Sequence, residues 1–233
     1  MSLLTIVQDA CDLLSIPRPD SVEDSTDQQV RQLFVLANEE GRELSKGYDW
    51  QVLREQYTFT TVASAAQTSA VPADLDHFIS NSFFNRTTRR NIIGPITPQQ
   101  WQAIQAQPQL NRVFLAFVQR HGQFLVTPTP AAGETIAYEY ITKNWAYSDT
   151  DVPKDRFTAD TDETFLDEWL FVLGLRWRFL KSKGLEYAED FRTYQTQINQ
   201  VMARDGGNSE LSITGDDSYV LSPNIPEGSF PGP

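Results

Sequence analysis

Cysteine is nearly absent from this chain. Cys11 is the single one, so no disulfide can form within the chain, and a reducing compartment is the natural setting. Histidine is almost as scarce: His77 and His121 leave a histidine-rich zinc site little to draw on. Positive charge is also short, with 19 Lys and Arg against 31 Asp and Glu and a net charge of −12. That balance argues against a groove that grips nucleic acid, which needs Lys and Arg against phosphate. No run is long and apolar enough to span a bilayer. The opening MSLLTIVQDACDLL has no basic start and carries Asp9 and Asp12 inside its apolar run, unlike a secretory leader. These absences together predict a soluble protein made in a cytoplasm.

The chain does have apolar and aromatic residues: 14 Phe, 8 Tyr and 5 Trp in 233 residues, enough for one sizeable core. Leu3, Val7, Ala10, Cys11 and Leu14 recur at helical spacing, and the Ile16-Pro17-Arg18-Pro19 run closes that helix. Cys11 on its apolar side reads as a small buried hydrophobe. Thr26 with Gln29 reads as a capping box for a second helix. Its stripe is Val30, Leu33, Phe34, Ala37, Gly41 and Leu44, with Gly47 at its end. The period then changes. Strands are predicted over Tyr57–Thr61, His77–Phe84, Arg112–Arg120, Gln123–Thr127 and Thr135–Thr142, with a polar loop over Ala63–Ala70 and a tight turn at His121-Gly122. Thr97, Pro98 and Gln100 mark the start of a short helix within this region.

Helical period returns near residue 160, where Asp160 and Glu163 read as a capping signal and Gly184 as the stop. Between them, apolar residues cover nearly the whole circumference of the helix. A helix apolar on most faces is buried on most faces, in a core, at a subunit interface, or both. Trp169, Trp177 and Phe179 are its candidate subunit contacts. The last helix, Leu185 to Arg204, carries one stripe: Tyr187, Phe191, Tyr194, Ile198, Val201 and Met202. From Asp205 the chain reads DGGNSELSITGDDSYVLSPNIPEGSFPGP, with five acids and no Lys or Arg. This segment has no helical period, yet it holds large apolar side chains. That combination suits an extended segment laid on a partner, with Ile213, Tyr219, Leu221 and Phe230 as the anchors. The fold class expected is α+β. A helical core (residues 1–50 and 158–205) carries a strand-rich insertion (51–157) with one short helix, followed by an extended tail (206–233).

Catalytic signatures are weak throughout. No Gly-x-Ser-x-Gly elbow, phosphate loop or His-Glu-x-x-His run occurs. The acids at Asp160, Asp162, Glu163, Asp167 and Glu168 could be read as a cation site or an acid/base pair. Carboxylates are also the ordinary furniture of a helix's first turn. Asp74 and Asp76 flank a turn, the usual place for Asp. Arg86, Arg89 and Arg90 form the one concentrated basic patch, either a solvated hairpin tip or a contact to phosphates or an acidic neighbour. Asn85-Arg86-Thr87 matches a glycosylation acceptor, which in a chain with no secretory leader is accidental.

Several stretches together resemble the head-to-tail adaptor proteins of short-tailed, double-stranded DNA bacteriophages. These are LLTIVQDACDLLSIPRP, ANEEGRELSKGYDW, FFNRTTRRNIIGPITPQQWQAI, FLVTPTPAAGETIAYEYITKNW and GLEYAEDFRTYQTQI. The resemblance implies a structural protein of the virion neck or tail, made in the host bacterial cytoplasm, with no cofactor, no metal and no catalytic residues. It implies a homo-oligomeric ring, typically of about twelve copies, below the portal protein. The ring would extend the channel for genomic DNA and offer a platform to distal tail (nozzle) or fibre proteins. Two other readings stay open from the residues: a fibre-anchoring or receptor-side tail protein, and a cell-wall hydrolase using acids near Asp162 and Glu168.

Overall fold

The first helix, α1 (Leu3–Leu14), starts where the Ser2 hydroxyl accepts the Thr5 N–H, and it stops at Ser15 in the left-handed conformation. Leu3, Ile6, Val7, Ala10 and Cys11 are its buried face. A computed structural model describes residues 1–106 and 115–206 of the chain. The second helix, α2 (Gln28–Gly47), is capped by Asp27, whose carboxylate accepts the Gln29 N–H at 2.7 Å, and not by Thr26 as the sequence suggested. Gly47 lies inside this helix, and the extended Tyr48 follows it. A short 3-10 turn (Gln51–Leu53) leads into the strands.

β1 (Arg54–Thr60) pairs along its whole length with β8 (Thr135–Thr142), antiparallel. The other edge of β8 is shared end to end by β3 (Leu75–Phe78) and β4 (Phe84–Asn85). The single strand expected over His77–Phe84 is therefore broken. Asn81 takes a left-handed φ of 63°, and the Ser82 hydroxyl fills the gap by accepting the Glu139 N–H at 3.1 Å. β5 (Arg90–Asn91) extends this sheet beyond β4. A second sheet orders β2 (Ala66–Gln67), β7 (Gln123–Thr127) and β6 (Ala116–Arg120). The segment expected as a plain polar loop thus contains a strand, because Ala66 and Gln67 pair with Leu125 and Phe124. His121 and Gly122 (φ 50° and 73°) make the tight turn from β6 to β7. α3 (Pro98–Ala106) opens with reciprocal bonds between Thr97 and Gln100.

The inner faces of these two sheets meet in an aromatic cluster. Phe83 stacks on Tyr138 at 4.5 Å and lies 4.1 Å from Phe117, which stacks on Phe124 at 4.5 Å. A second apolar cluster belongs to the helices and includes Trp145, Ala146 and Phe157 from the connecting segment. There β9 (Ala146–Tyr147) pairs with both β10 (Pro153–Lys154) and β11 (Glu163–Thr164).

Helix α4 (Glu168–Ser182) begins seven residues later than a cap at Asp160 would start it. Its cap is Asp167, which accepts the Trp169 N–H at 2.9 Å. Tertiary bonds outcompete a local cap: the Asp160 carboxylate accepts the Val22 and Glu23 N–H groups at 2.9 Å each, and Glu163 is drawn into β11. Gly184 (φ 69°) closes α4, with the Leu185 N–H reaching back to the Leu180 carbonyl. α4 packs against α1, α2 and α5 (Ala188–Asp205). Its apolar circumference is explained by those three neighbours. The architecture is α+β, with N- and C-terminal helices flanking a strand-rich middle.

Candidate interaction surfaces

A polar network absent from the sequence reading holds the helices together. Glu40 sits within the apolar stripe of α2, fully buried, and accepts from Arg178 Nε at 2.5 Å and from the Tyr194 hydroxyl at 2.6 Å. Arg178, itself nearly buried, also reaches Glu43 at 2.6 Å and lies 4.6 Å over the Trp177 ring. Burial pushes the Glu40 carboxyl above its ordinary range even though Arg178 and Tyr194 act the other way. Three helices thereby share one charged knot. The signal was available: an acid on an apolar stripe of α2, with an arginine set between Trp177 and Phe179 on a largely apolar helix.

Of the three α4 residues expected at a subunit interface, only Trp169 is on the surface, 51% exposed. Trp177 and Phe179 fill the protomer's own core. Trp177 meets Phe191 at 5.0 Å and Tyr194 at 6.0 Å on α5. The tail anchors Ile213, Tyr219, Leu221 and Phe230 lie outside the described residues. Arg86 and Arg89 project from the exposed turn between β4 and β5, and Arg90 is exposed on β5. That turn is pinned by Asn85, whose side-chain oxygen accepts the Thr87 and Thr88 N–H groups and whose amide donates to Glu134 at 2.6 Å. Asn85 is buried with both ends bonded, so the glycosylation match has no accessible acceptor.

The acids near residue 160 have structural partners. The Asp162 carboxylate is buried and accepts from Lys154 Nζ at 2.6 Å and from the Thr158 and Ala159 N–H groups at 2.6 and 2.9 Å. Burial raises its pKa, but the Lys154 ammonium and these N–H donors outweigh burial and hold it below the usual carboxylate range. A depressed carboxylate adds stability that is present above its unfolded pKa and is lost as pH falls through its folded pKa. Asp162→Asn is therefore expected to lower stability by about 1–3 kcal/mol at pH 7 and to flatten the acid limb below about pH 4. Urea melts across pH check both. An unchanged acid limb would show that Asp162 does not carry it.

Among the described residues no group of His, Cys, Asp and Glu could hold a metal ion. Cys11 is buried, and burial first, then Asp12 and Asp27, push its thiol up to about 11, so it stays protonated at neutral pH. Asp74 accepts from the Thr142 hydroxyl at 2.7 Å and lies 3.0 Å from the Tyr140 hydroxyl. His77 lies between Asp76 at 2.8 Å and Asp49 at 3.1 Å. Burial lowers its pKa, but the two carboxylates more than offset that and the net shift is upward. His121 sits at the tip of a hairpin. No helix among the described residues is long and apolar enough to cross a membrane.

Hollows also run along the outer face of α2. Two adjoining ones, of 720 and 860 Å³, share Glu23, Phe34 and Val35. Such shallow, mixed surfaces suit macromolecular contact better than a small substrate, which needs an enclosed pocket with convergent polar groups. No curated protein matches the chain. Residues 1–217, however, match the family described as SU10 adaptor protein, a span that takes in both terminal helix pairs and the whole strand-rich middle. The chain accordingly belongs to the SU10 adaptor protein family and is a structural head-to-tail adaptor of phage virion assembly, not an enzyme.

Proposed function

We propose that the protein assembles as a ring of about twelve copies in the virion neck, docked below the portal protein. There it extends the channel for genomic DNA and presents a platform to the distal tail or fibre proteins. The observation that carries this reading is the family match across residues 1–217. A net charge of −12 supports it, since a channel wall poor in Lys and Arg lets DNA pass without holding it. In this reading Trp169 meets a neighbouring subunit, with Trp177 and Phe179 bracing α4 behind it. Arg86, Arg89 and Arg90 approach an acidic surface. The tail, through Ile213, Tyr219, Leu221 and Phe230, seats on the portal. Aromatic and Arg side chains dominate interface energetics in general, which favours these residues as anchors.

The test is the mass of the protein alone and mixed with its phage's portal, by native mass spectrometry. A fixed ratio near one adaptor per portal subunit is expected. Removing residues 207–233 is expected to leave the body folded, because the helical cluster is built from earlier residues, and to weaken portal binding by about tenfold or more. Equal binding by the truncated chain would remove the tail from the portal contact. A chain that ignores the portal but captures a fibre protein would move the whole reading to the fibre side.

A further inference from the structure

The outer face of α2 carries a feature at odds with the rest of this acidic chain. Val35 is 63% exposed and stands beside half-buried Phe34, where the two hollows join. Around them are Arg31, Arg42 and Arg156. Neither Arg31 nor Arg42 has an ion-pair partner among the described residues, and Arg156 pairs only with its exposed neighbour Asp155. Of the two acids in the groove, Glu39 is drawn toward Arg178 at 3.4 Å, which leaves Glu23. In a protein with 31 acids and 19 bases, a mixed groove with an exposed valine at its centre and three arginines on its rim is a local departure from the acidic surface.

The start of α4 has the opposite character. Trp169 is 51% and Phe165 39% exposed, and the Phe165 ring lies 4.6 Å from that of Tyr147. Glu163, Asp167 and Glu168 surround these rings, and the sequence has no Lys or Arg from residue 157 to 175. Glu163 accepts from the Tyr147 hydroxyl at 2.6 Å, and Glu168 takes the Met1 amine. The result is an exposed aromatic knob bordered by the carboxylates of Glu163 and Asp167 and by Glu168, whose charge the Met1 ammonium partly offsets.

Val35, at the centre of the groove, and Trp169, at the tip of the knob, stand at different levels of one pair of helices. α2 and α4 run antiparallel: Gln32 bonds Ser182 at 2.8 Å, and Glu40 bonds Arg178. Val35 therefore lies level with the last turns of α4, whereas Trp169 is in its first turn. Those levels are about 15 Å apart at 1.5 Å per residue. A protomer cannot seat its own knob in its own groove. We propose that the knob of one copy seats in the α2 groove of the next. Its occupant is a second copy of this chain because this chain supplies both the aromatic filling and the charge that the arginine rim lacks. Because the two surfaces differ, the contact is head-to-tail, and repetition closes a ring when the rotation allows. This rests on the ring reading above and assigns its subunit contact.

The test uses full-length protein under conditions where the wild type forms rings, alone or on its portal. Arg42→Glu and Glu168→Arg are each expected to lose ring assembly by about tenfold or more at equal concentration. Trp169→Ala is expected to do the same. Circular dichroism melts establish that each variant is folded. A one-to-one mixture of Arg42→Glu and Glu168→Arg chains is expected to regain rings, since every contact in an alternating ring then pairs opposite charges. Normal rings from the single variants, or no recovery in the mixture, overturn the proposal while leaving the ring itself standing. Rings that form normally from Arg42→Glu chains but no longer bind the portal would make the groove a portal site, and also overturn it. Absence of rings in the wild type, with or without portal, refutes the ring reading and this contact with it.

Discussion

Replacing Arg178 with alanine is expected to cost about 3–5 kcal/mol of unfolding free energy, because removal of one partner leaves the other charge buried and uncompensated. Against a typical total of about 5–15 kcal/mol, that is enough to leave the helical body only marginally folded. Glu40 is fully buried on α2, and its carboxylate depends on Arg178 and the Tyr194 hydroxyl for its hydrogen bonds. Space offers no escape, since Gly174 of α4 faces that carboxylate so closely that even an added methyl would collide with it. The pH dependence distinguishes a lost charge partner from simple lost packing. Burial raises the folded pKa of Glu40 already, and without Arg178 it rises further. A raised carboxylate gives stability that is full below the unfolded pKa and is lost as pH rises through the folded one. The gap between Arg178→Ala and wild type should therefore narrow as pH falls from 8 toward about 5. A gap that stays constant in urea melts across this range would point to packing alone. The double variant Glu40→Gln/Arg178→Met removes both charges and is expected to be more stable than Arg178→Ala.

The second large effect is expected at Trp145, the largest side chain fully buried in the protein. Its ring meets Phe157 edge-on at 4.8 Å and Phe171 at 5.7 Å. Its flat face is accommodated because position 41 on α2 is glycine, and an added methyl there would penetrate the indole. Trp145→Ala is expected to lose about 3–5 kcal/mol by removing this apolar volume. Gly41→Ala is expected to lose about 1–3 kcal/mol by the opposite route, overpacking. The pair is informative together: in the double variant the new methyl enters the space the indole vacated, so the two costs should add to less than their sum. Chemical denaturation of the four proteins measures that coupling. Strict additivity would mean that Gly41 and Trp145 do not share one packing site. Because Trp145 follows β8 and packs in the helical cluster, its loss should also loosen the strand-rich middle from the helices.

The two effects share a cause: the helical body is organised around contacts between residues far apart in the chain. Glu40 meets Arg178 and Tyr194, and Gly41 meets Trp145, with more than a hundred residues intervening in each pair. Trp169 and Val35, by contrast, keep more than half of their surface in solvent, and theirs are the two surfaces proposed to meet neighbours.

The local elements were legible from residues near one another. The stripes of α1 and α2, the Thr97–Gln100 box, the His121-Gly122 turn and the bounds of β8 all rest on interactions within a few residues, and periodicity and side-chain chemistry report those directly. The adaptor family was legible too, since its textures are spread over several separate stretches. Features decided by distant partners were not. Asp160 and Glu163 carry every mark of a helix start, yet the N–H groups of Val22 and Glu23 and the edge of β9 claim them, and α4 begins at Glu168 instead. Trp177 and Phe179 look as available for contact as Trp169. Only the docking of α5 and the other helices buries the first two and leaves the third in solvent. The physical reason is the range of the forces involved. Capping, turn geometry and hydrophobic period act through neighbours in the chain, whereas burial and the pairing of charges depend on which surfaces meet after the chain has folded.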